Sequence, residues 1–310
     1  EEGLSRYFPT PLRTKYHRDI CRHRLSREII ATRVTNSMIN RVGGTFIPEF
    51  MEKTGKSVPD IARAYIIARE VFKLRDLWDS IEKLDNRVPP DVQTAMILDI
   101  YHLVEWVTLW FLRNGKPGLD IGRHVKEFQD GITKLSEGLK ESLPGHYLRD
   151  LKKRAQPYTG KGVPKTLGLK VSNMVNLYSG CDIVRFANRR RMPVGNVAKT
   201  YFAIGTRFHL GRLRAAADKI GSASHWQSLA VAALIEEIYS HQLTLAKQVI
   251  DVGGGGESEK AIQAWIGNNQ EAVESTDQLF AELWATEIND LSMIAVASRS
   301  LRSMTDDGES

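Results

Sequence analysis

Shifted by 136 residues, the sequence lies over itself. Met38-Ile39-Asn40 falls on Met174-Val175-Asn176, Gly44 on Gly180, Ile47 on Ile183 and Phe50 on Phe186. Without a gap, Val58, Ile61, Ala62, Arg63 and Tyr65 then fall on Val194, Val197, Ala198, Lys199 and Tyr201. Phe72, Leu74 and Leu77 fall on Phe208, Leu210 and Leu213, and after a small further shift Ile100-Tyr101 meets Ile238-Tyr239. What is kept is apolar or small, apart from one asparagine and one basic position. A core-facing residue must keep its size and its face, so this is the pattern of a shared packing scheme. The match crosses turns as well as periodic segments, which points to two related supersecondary units.

Those units read as helical. Apolar residues recur at helical spacing almost throughout, and no alternating β-branched run bounded by turns gives a convincing strand. All eleven prolines lie at or before Pro193, leaving the last 117 residues free for long helices. The fold class expected is all-α: two related units and a long C-terminal helix. Residues 1–140 form the first unit, led by a basic helix that Pro11 opens and Gly43-Gly44 ends. Residues 141–164, rich in Pro, Gly and Lys, read as a connector, and 165–252 as the second unit. Residues 253–310 comprise a linker, Gly253–Gly256, and one acidic amphipathic helix over about 257–302. The last residues, Asp306–Ser310, are expected to fray. Ser57 is placed to cap a helix with Pro59 in its first turn.

Charge is uneven along this plan. The net +6 divides into +6 over residues 1–160, +8 over 161–252 and −8 over 253–310. The acidic tail carries an apolar stripe including Ile262, Trp265, Val273, Phe280, Trp284 and Ile294. Exposed, that stripe would be a large apolar patch in water, so the tail should dock, with a neighbouring subunit as the favoured surface. Two cysteines, Cys21 and Cys181, cannot build a disulfide framework and fit a reducing, cytoplasmic setting. The apolar stretches fall short of a membrane span. The chain opens Glu1-Glu2-Gly3 with no signal-peptide pattern, and is read as a fragment.

The residues offer little chemistry. No Gly-x-Gly-x-x-Gly lies between a strand and a helix. Lys161-Gly162-Val163-Pro164-Lys165 lacks the Gly-Lys-Ser/Thr ending of a phosphate loop. His17, Cys21 and His23 share a helix turn, but no fourth zinc ligand has suitable spacing and Arg18, Arg22, Arg24 and Arg27 oppose a cation. Glu237 and His241 form an i, i+4 pair, read as a surface or interface pair before a catalytic one. Cys181, at a helix start, is either a thiol of lowered pKa or a small structural residue. Arg189-Arg190-Arg191 either meets phosphates or is solvated or inter-domain charge. Asn40 and Asn176 are expected to make a common buried hydrogen bond, with ligand binding as the alternative. No catalytic, cofactor-binding or metal residue is assigned.

Several stretches nevertheless resemble one family. They include Tyr7-Phe8-Pro9-x-Pro11-Leu12-Arg13, the run His23-Arg24-Leu25-Ser26-Arg27-Glu28-Ile29-Ile30-Ala31-Thr32, and Asn40-Arg41-Val42-Gly43-Gly44-Thr45-Phe46. Asp60-Ile61-Ala62-Arg63-Ala64-Tyr65, Ala68-Arg69-Glu70-Val71-Phe72 and Val92-Gln93-Thr94-Ala95-Met96 fit too. So do Val197-Ala198-Lys199-Thr200-Tyr201-Phe202-Ala203-Ile204-Gly205 and His225-Trp226-Gln227. Over about residues 4–250 the chain is similar to the C-terminal region of the very large bacterial NAD-specific glutamate dehydrogenases. That resemblance implies a parent that converts L-glutamate, NAD and water to 2-oxoglutarate, ammonium and NADH. It implies that NAD and the catalytic lysine and aspartate belong to a separate core, so no catalytic residue carries over. The expected partners are that core and further copies in a homo-oligomer, with no nucleic acid and no membrane. The alternative is an independent helical module that binds nucleic acid or an acidic protein through the +8 block.

Overall fold

The computed structural model describes residues 2–5, 8–220, 224–254, 257–286 and 288–305. Every regular element among them is helical. The chain begins with α1 (Glu2–Ser5), α2 (Thr10–Lys15), α3 (His17–Cys21) and α4 (Ser26–Val42). Residues 46–114 follow as α5 (Phe46–Thr54), α6 (Val58–Val71), α7 (Leu74–Glu82) and α8 (Pro90–Asn114). Next come α9 (Ile121–Glu137), α10 (Leu139–Ser142), α11 (Gly145–Thr159), α12 (Lys165–Ser172) and a 3-10 turn at Met174–Leu177. The second unit is α13 (Gly180–Arg190), α14 (Val194–Arg207), α15 (Leu210–Lys219) and α16 (His225–Gly253). The tail is α17 (Ser258–Asn268), α18 (Gln270–Ala285) and α19 (Leu291–Thr305).

At the 136-residue shift, α6 and α14 share both ends, and α7 and α15 share their first residue. Lys73, just before α7, is left-handed with φ 51°; His209, just before α15, has φ 52°. Gly55 closes α5 with φ 64°, and Arg191 closes α13 with φ 53°. Four chain positions thus repeat a conformation that L-residues seldom adopt. α6 packs on α5, α7 and α8, as α14 packs on α13, α15 and α16. The matched pairs Ile61/Val197, Tyr65/Tyr201, Leu74/Leu210 and Leu77/Leu213 are all buried. The correspondence stops upstream: Met38–Asn40 lie in the α-helix α4, but Met174–Asn176 lie in the 3-10 turn. Phe208 is fully buried and Phe72 only half-buried. Trp265 of the tail packs edge-on against Phe208 at 6.3 Å and thereby covers it.

One core joins the units. α9 packs on α6 on one side and on α13 and α14 on the other. At its crossing with α13, a Cβ on Gly131 would stand 2.5 Å from Val184 Cγ1, so the close approach requires glycine there.

Three expected elements differ. The basic first helix is broken into α2, α3 and α4. The His23 ring accepts from the Leu25 amide at 3.2 Å, a local bond that competes with a continuous helix. The 141–164 connector contains the helix α11, which buries Ala155 and Tyr158. The tail is three helices. Asn269 turns its side-chain amide onto the Trp265 carbonyl at 2.8 Å, the acceptor its own backbone would have used in a continuing helix. Further on, Asp290 accepts from the Ser292 amide at 2.8 Å and starts α19. Of the glycine linker, Gly253 ends α16 and Gly254 is its left-handed cap, while Gly255 and Gly256 lie outside the described residues. Asp306–Ser310 also lie outside them.

The tail's stripe docks on its own chain. α17 lies on α14 and α16, α19 on α15 and α16, and α18 on α17 and α19; Ile262, Trp265, Val273, Phe280, Ile294 and Leu301 are buried. Arg207 grips Asp277 with two hydrogen bonds of 2.9 and 2.6 Å, joining the basic block to the acidic tail. α8 is, contrary to expectation, long and apolar enough to cross a membrane by length and composition. Its apolar face, with Met96, Ile100, Val104, Val107 and Phe111, is buried in the shared core against α6 and α7.

Candidate functional site: two cavities in register

Each unit holds a cavity at the same place. The first, of about 520 Å³, is lined by residues including Asn40, Arg69, Arg75, Trp78, Asp79 and Glu82. The second, of about 470 Å³, is lined by residues including Asn176, Gly205, Gly211, Arg214, Ala215 and Asp218. These six pairs are related by the same 136-residue shift. Volumes of this order suit small molecules.

The two cavities are furnished differently. In the first, Arg69 is almost fully buried, meets Glu70 at 2.8 Å and Ser37 Oγ at 3.3 Å, and lies 5.7 Å from the Tyr65 ring. Its carboxylate partner is shared with Arg75, which meets Glu70 at 2.9 Å. In the second, Gly205 stands where Arg69 does. A Cβ there would lie 2.5 Å from Gln242 Nε2 and 2.8 Å from the Tyr147 hydroxyl, so both groups approach only because the position is glycine. The cation comes instead from α15. Arg214 lies 4.1 Å over the Tyr239 ring and donates from Nη1 to Gln242 Oε1 at 2.8 Å. Gln242, fully buried, donates in turn to the Tyr201 carbonyl at 2.8 Å. The Tyr201 hydroxyl bonds Ser179 Oγ at 2.6 Å. Burial pushes the Tyr147, Tyr201 and Tyr239 hydroxyls above their ordinary range, so all three stay protonated donors at neutral pH.

The residues singled out by sequence are scattered. Asn40 is exposed, so no common buried bond exists. Asn176 donates to Asn173 Oδ1 at 2.7 Å, and each asparagine borders its own cavity. The reason is the upstream difference: α4 turns Asn40 outward, whereas the 3-10 turn folds Asn176 back. His17 Nε2 and Cys21 Sγ lie 3.8 Å apart, but His23 is turned to its own backbone. Among the described residues, no group of three or more His, Cys, Asp or Glu is placed to hold a metal. Cys181 is fully buried, and that burial pushes its thiol well above its ordinary value, the opposite of an activated nucleophile. His241 and Glu237 are 3.6 Å apart, and Glu237 also pairs with Arg302, so the cluster clasps α16 to α19. Arg190 pairs with Asp251 at 2.6 Å, and Arg191 is the left-handed cap of α13. Lys161, Arg185 and Arg207 of the basic block likewise pair with acids of the same chain. Arg214 and Gly205 were missed. The signal was available as two mismatches in the repeat, Trp78 against Arg214 and Arg69 against Gly205.

The sequence family described as "Glutamate dehydrogenase, C-terminal" matches residues 1–303. Three bacterial proteins named NAD-specific glutamate dehydrogenase are similar to the chain. That of Pseudomonas aeruginosa is 32% identical over 295 residues, 95% of this chain. That of Halomonas elongata is 30% identical over 299 residues, 96% of this chain. That of Mycobacterium tuberculosis is 29% identical over 303 residues, 97% of this chain. In each case the chain spans only 18% of the relative's length.

Proposed function

The chain belongs to the C-terminal glutamate dehydrogenase family, and from that premise we propose that it is a non-catalytic helical module of a large NAD-dependent glutamate dehydrogenase. The observation that carries this reading is the match over 95–97% of the chain against 18% of each relative. The parent would oxidise L-glutamate with NAD and water to 2-oxoglutarate, ammonium and NADH, in the bacterial cytoplasm. Its nicotinamide site and catalytic groups would lie in the rest of the polypeptide. This module would pack on that core, support a homo-oligomer, or transmit the state of a bound effector. The arrangement of the helices supports such a role: α9 and α16 tie both units and the tail into one core, a stiff body able to pass a displacement between surfaces.

Deleting residues 1–310 from the full-length enzyme tests the proposal. The steady-state rate and the mass in solution are both measured. Loss of assembly or an altered response of the rate is the expected result, and the separate chain should bind no NAD by calorimetry. Stoichiometric NAD binding by the separate chain would overturn the reading. So would a deletion that leaves rate, regulation and mass all unchanged.

A further inference from the structure

We propose that the second-unit cavity is a binding site for a small organic carboxylate, with Arg214 as its anchor. The first unit supplies the control. There the buried cation Arg69 has a carboxylate partner, Glu70, at 2.8 Å. In the second unit Gly205 lets Gln242 and the Tyr147 hydroxyl close in, and the cation at the cavity is Arg214 from another helix. Among the described residues, no carboxylate lies within ion-pair distance of Arg214. The nearest acid along α15 is Asp218, one turn away on the same cavity; it feels the Arg214 charge without pairing with it, while desolvation pushes its carboxyl upward. A buried cation without a paired anion is costly, and a bound anion would remove that cost.

The guanidinium is positioned before any ligand arrives. Its face rests on Tyr239 and one Nη is committed to Gln242, itself fixed by the Tyr201 carbonyl. Arginine carries five donors, so an edge remains for bidentate capture of a planar carboxylate. Tyrosine hydroxyls beside it add neutral donors, and Phe202, Val175 and Leu151 give an apolar wall. Arg212, the next guanidinium on α15, is drawn away over the Trp284 ring at 4.1 Å. At the rim, Arg154, His146 and His209 face Asp150 and Asp218. One fixed cation with neutral donors matches the single charge of a carboxylate better than the double charge of a phosphate.

The test is thermal unfolding of the full-length protein at fixed ionic strength against benzoate, propionate and inorganic phosphate. A carboxylate probe should raise the midpoint saturably, and phosphate should not. In Arg214→Gln the half-saturating concentration should rise roughly tenfold or more, the usual consequence of losing a charged hydrogen-bond partner. If that variant fails to fold, Arg154→Ala at the exposed rim should weaken the same response without unfolding the chain. A response to neither carboxylate, or to phosphate alone, would overturn the assignment. So would a carboxylate response that survives both substitutions unchanged.

Discussion

The two units meet a similar problem at matched tyrosines in opposite ways. Beside Tyr65 the first unit places Arg69 from α6 itself and pairs it with Glu70. Beside Tyr201 the second unit has glycine on the equivalent helix and brings Arg214 from α15 without an acid partner. The scaffold is alike, since α6 and α14 share boundaries and both are followed by a left-handed residue. The filling is not. A helical frame can stay in place while an exchange of side chains moves the cation beside a cavity from one helix to the next and changes its partners.

The largest expected effect separates Phe208 from Phe72. Phe208 is fully buried under the tail, so Phe208→Ala should cost ~3–5 kcal/mol in denaturant unfolding. Phe72 is half-buried, and Phe72→Ala should cost about half as much. Equal losses would break the claim that the tail distinguishes the units.

Next in size is Gly205→Val. Its side chain would collide with Gln242 and Tyr147 and should cost ~1–3 kcal/mol, with loss of the Arg214–Gln242–Tyr201 chain. A neutral result in the same unfolding assay would mean that Gln242 and Tyr147 yield, and that their approach does not depend on glycine.

The paired caps give a smaller and opposite pair of effects. Gly55→Ala should destabilise by about 1 kcal/mol, because a side chain is disfavoured at φ 64°. Arg191→Gly should stabilise slightly, by under ~1 kcal/mol, since it relieves the same strain at φ 53°. Calorimetric melting temperatures that move in the same direction would contradict the shared cap geometry.

The smallest effect depends on pH. Asp60 lies in the first turn of α6; its counterpart in α14 is Asn196, which does not titrate. The Gly118 amide, at 2.9 Å, and Ser57 hold the Asp60 carboxyl below its ordinary value of 3.8. Because the folded value is depressed, the stabilisation is present above that ordinary value and fades as pH falls through the lower folded one. Asp60→Asn should therefore flatten the acid limb of the stability profile, leaving the profile near neutrality parallel to that of the parent. An unchanged acid limb would remove Asp60 from the account.

The packing scheme was legible because core positions must preserve size and face. That is why Val58–Val71 and Val194–Arg207 could be aligned before their ends were known. The breaks at His23 and Asn269 were not legible, since each depends on a side chain competing with one backbone bond. The cavity was hidden for a different reason. A comparison that seeks likeness keeps Tyr65 with Tyr201 and discards Arg69 against Gly205, yet the discarded positions set the charge and volume of the hollow. Asn40 shows the converse: it matched Asn176 in sequence, but the preceding backbone differs and the two side chains have different surroundings.

The most direct test of one scaffold with two fillings is an experimental structure of this chain, with residues 58–82 superposed on 194–218. The account predicts that the two backbones coincide, with Lys73 and His209 both left-handed. The Arg69 guanidinium should then project into the space above Gly205, and Arg214 should have no acid of the chain in ion-pair contact. Different crossings of α6 on α7 and α14 on α15, or Arg214 paired with Asp218, would contradict it.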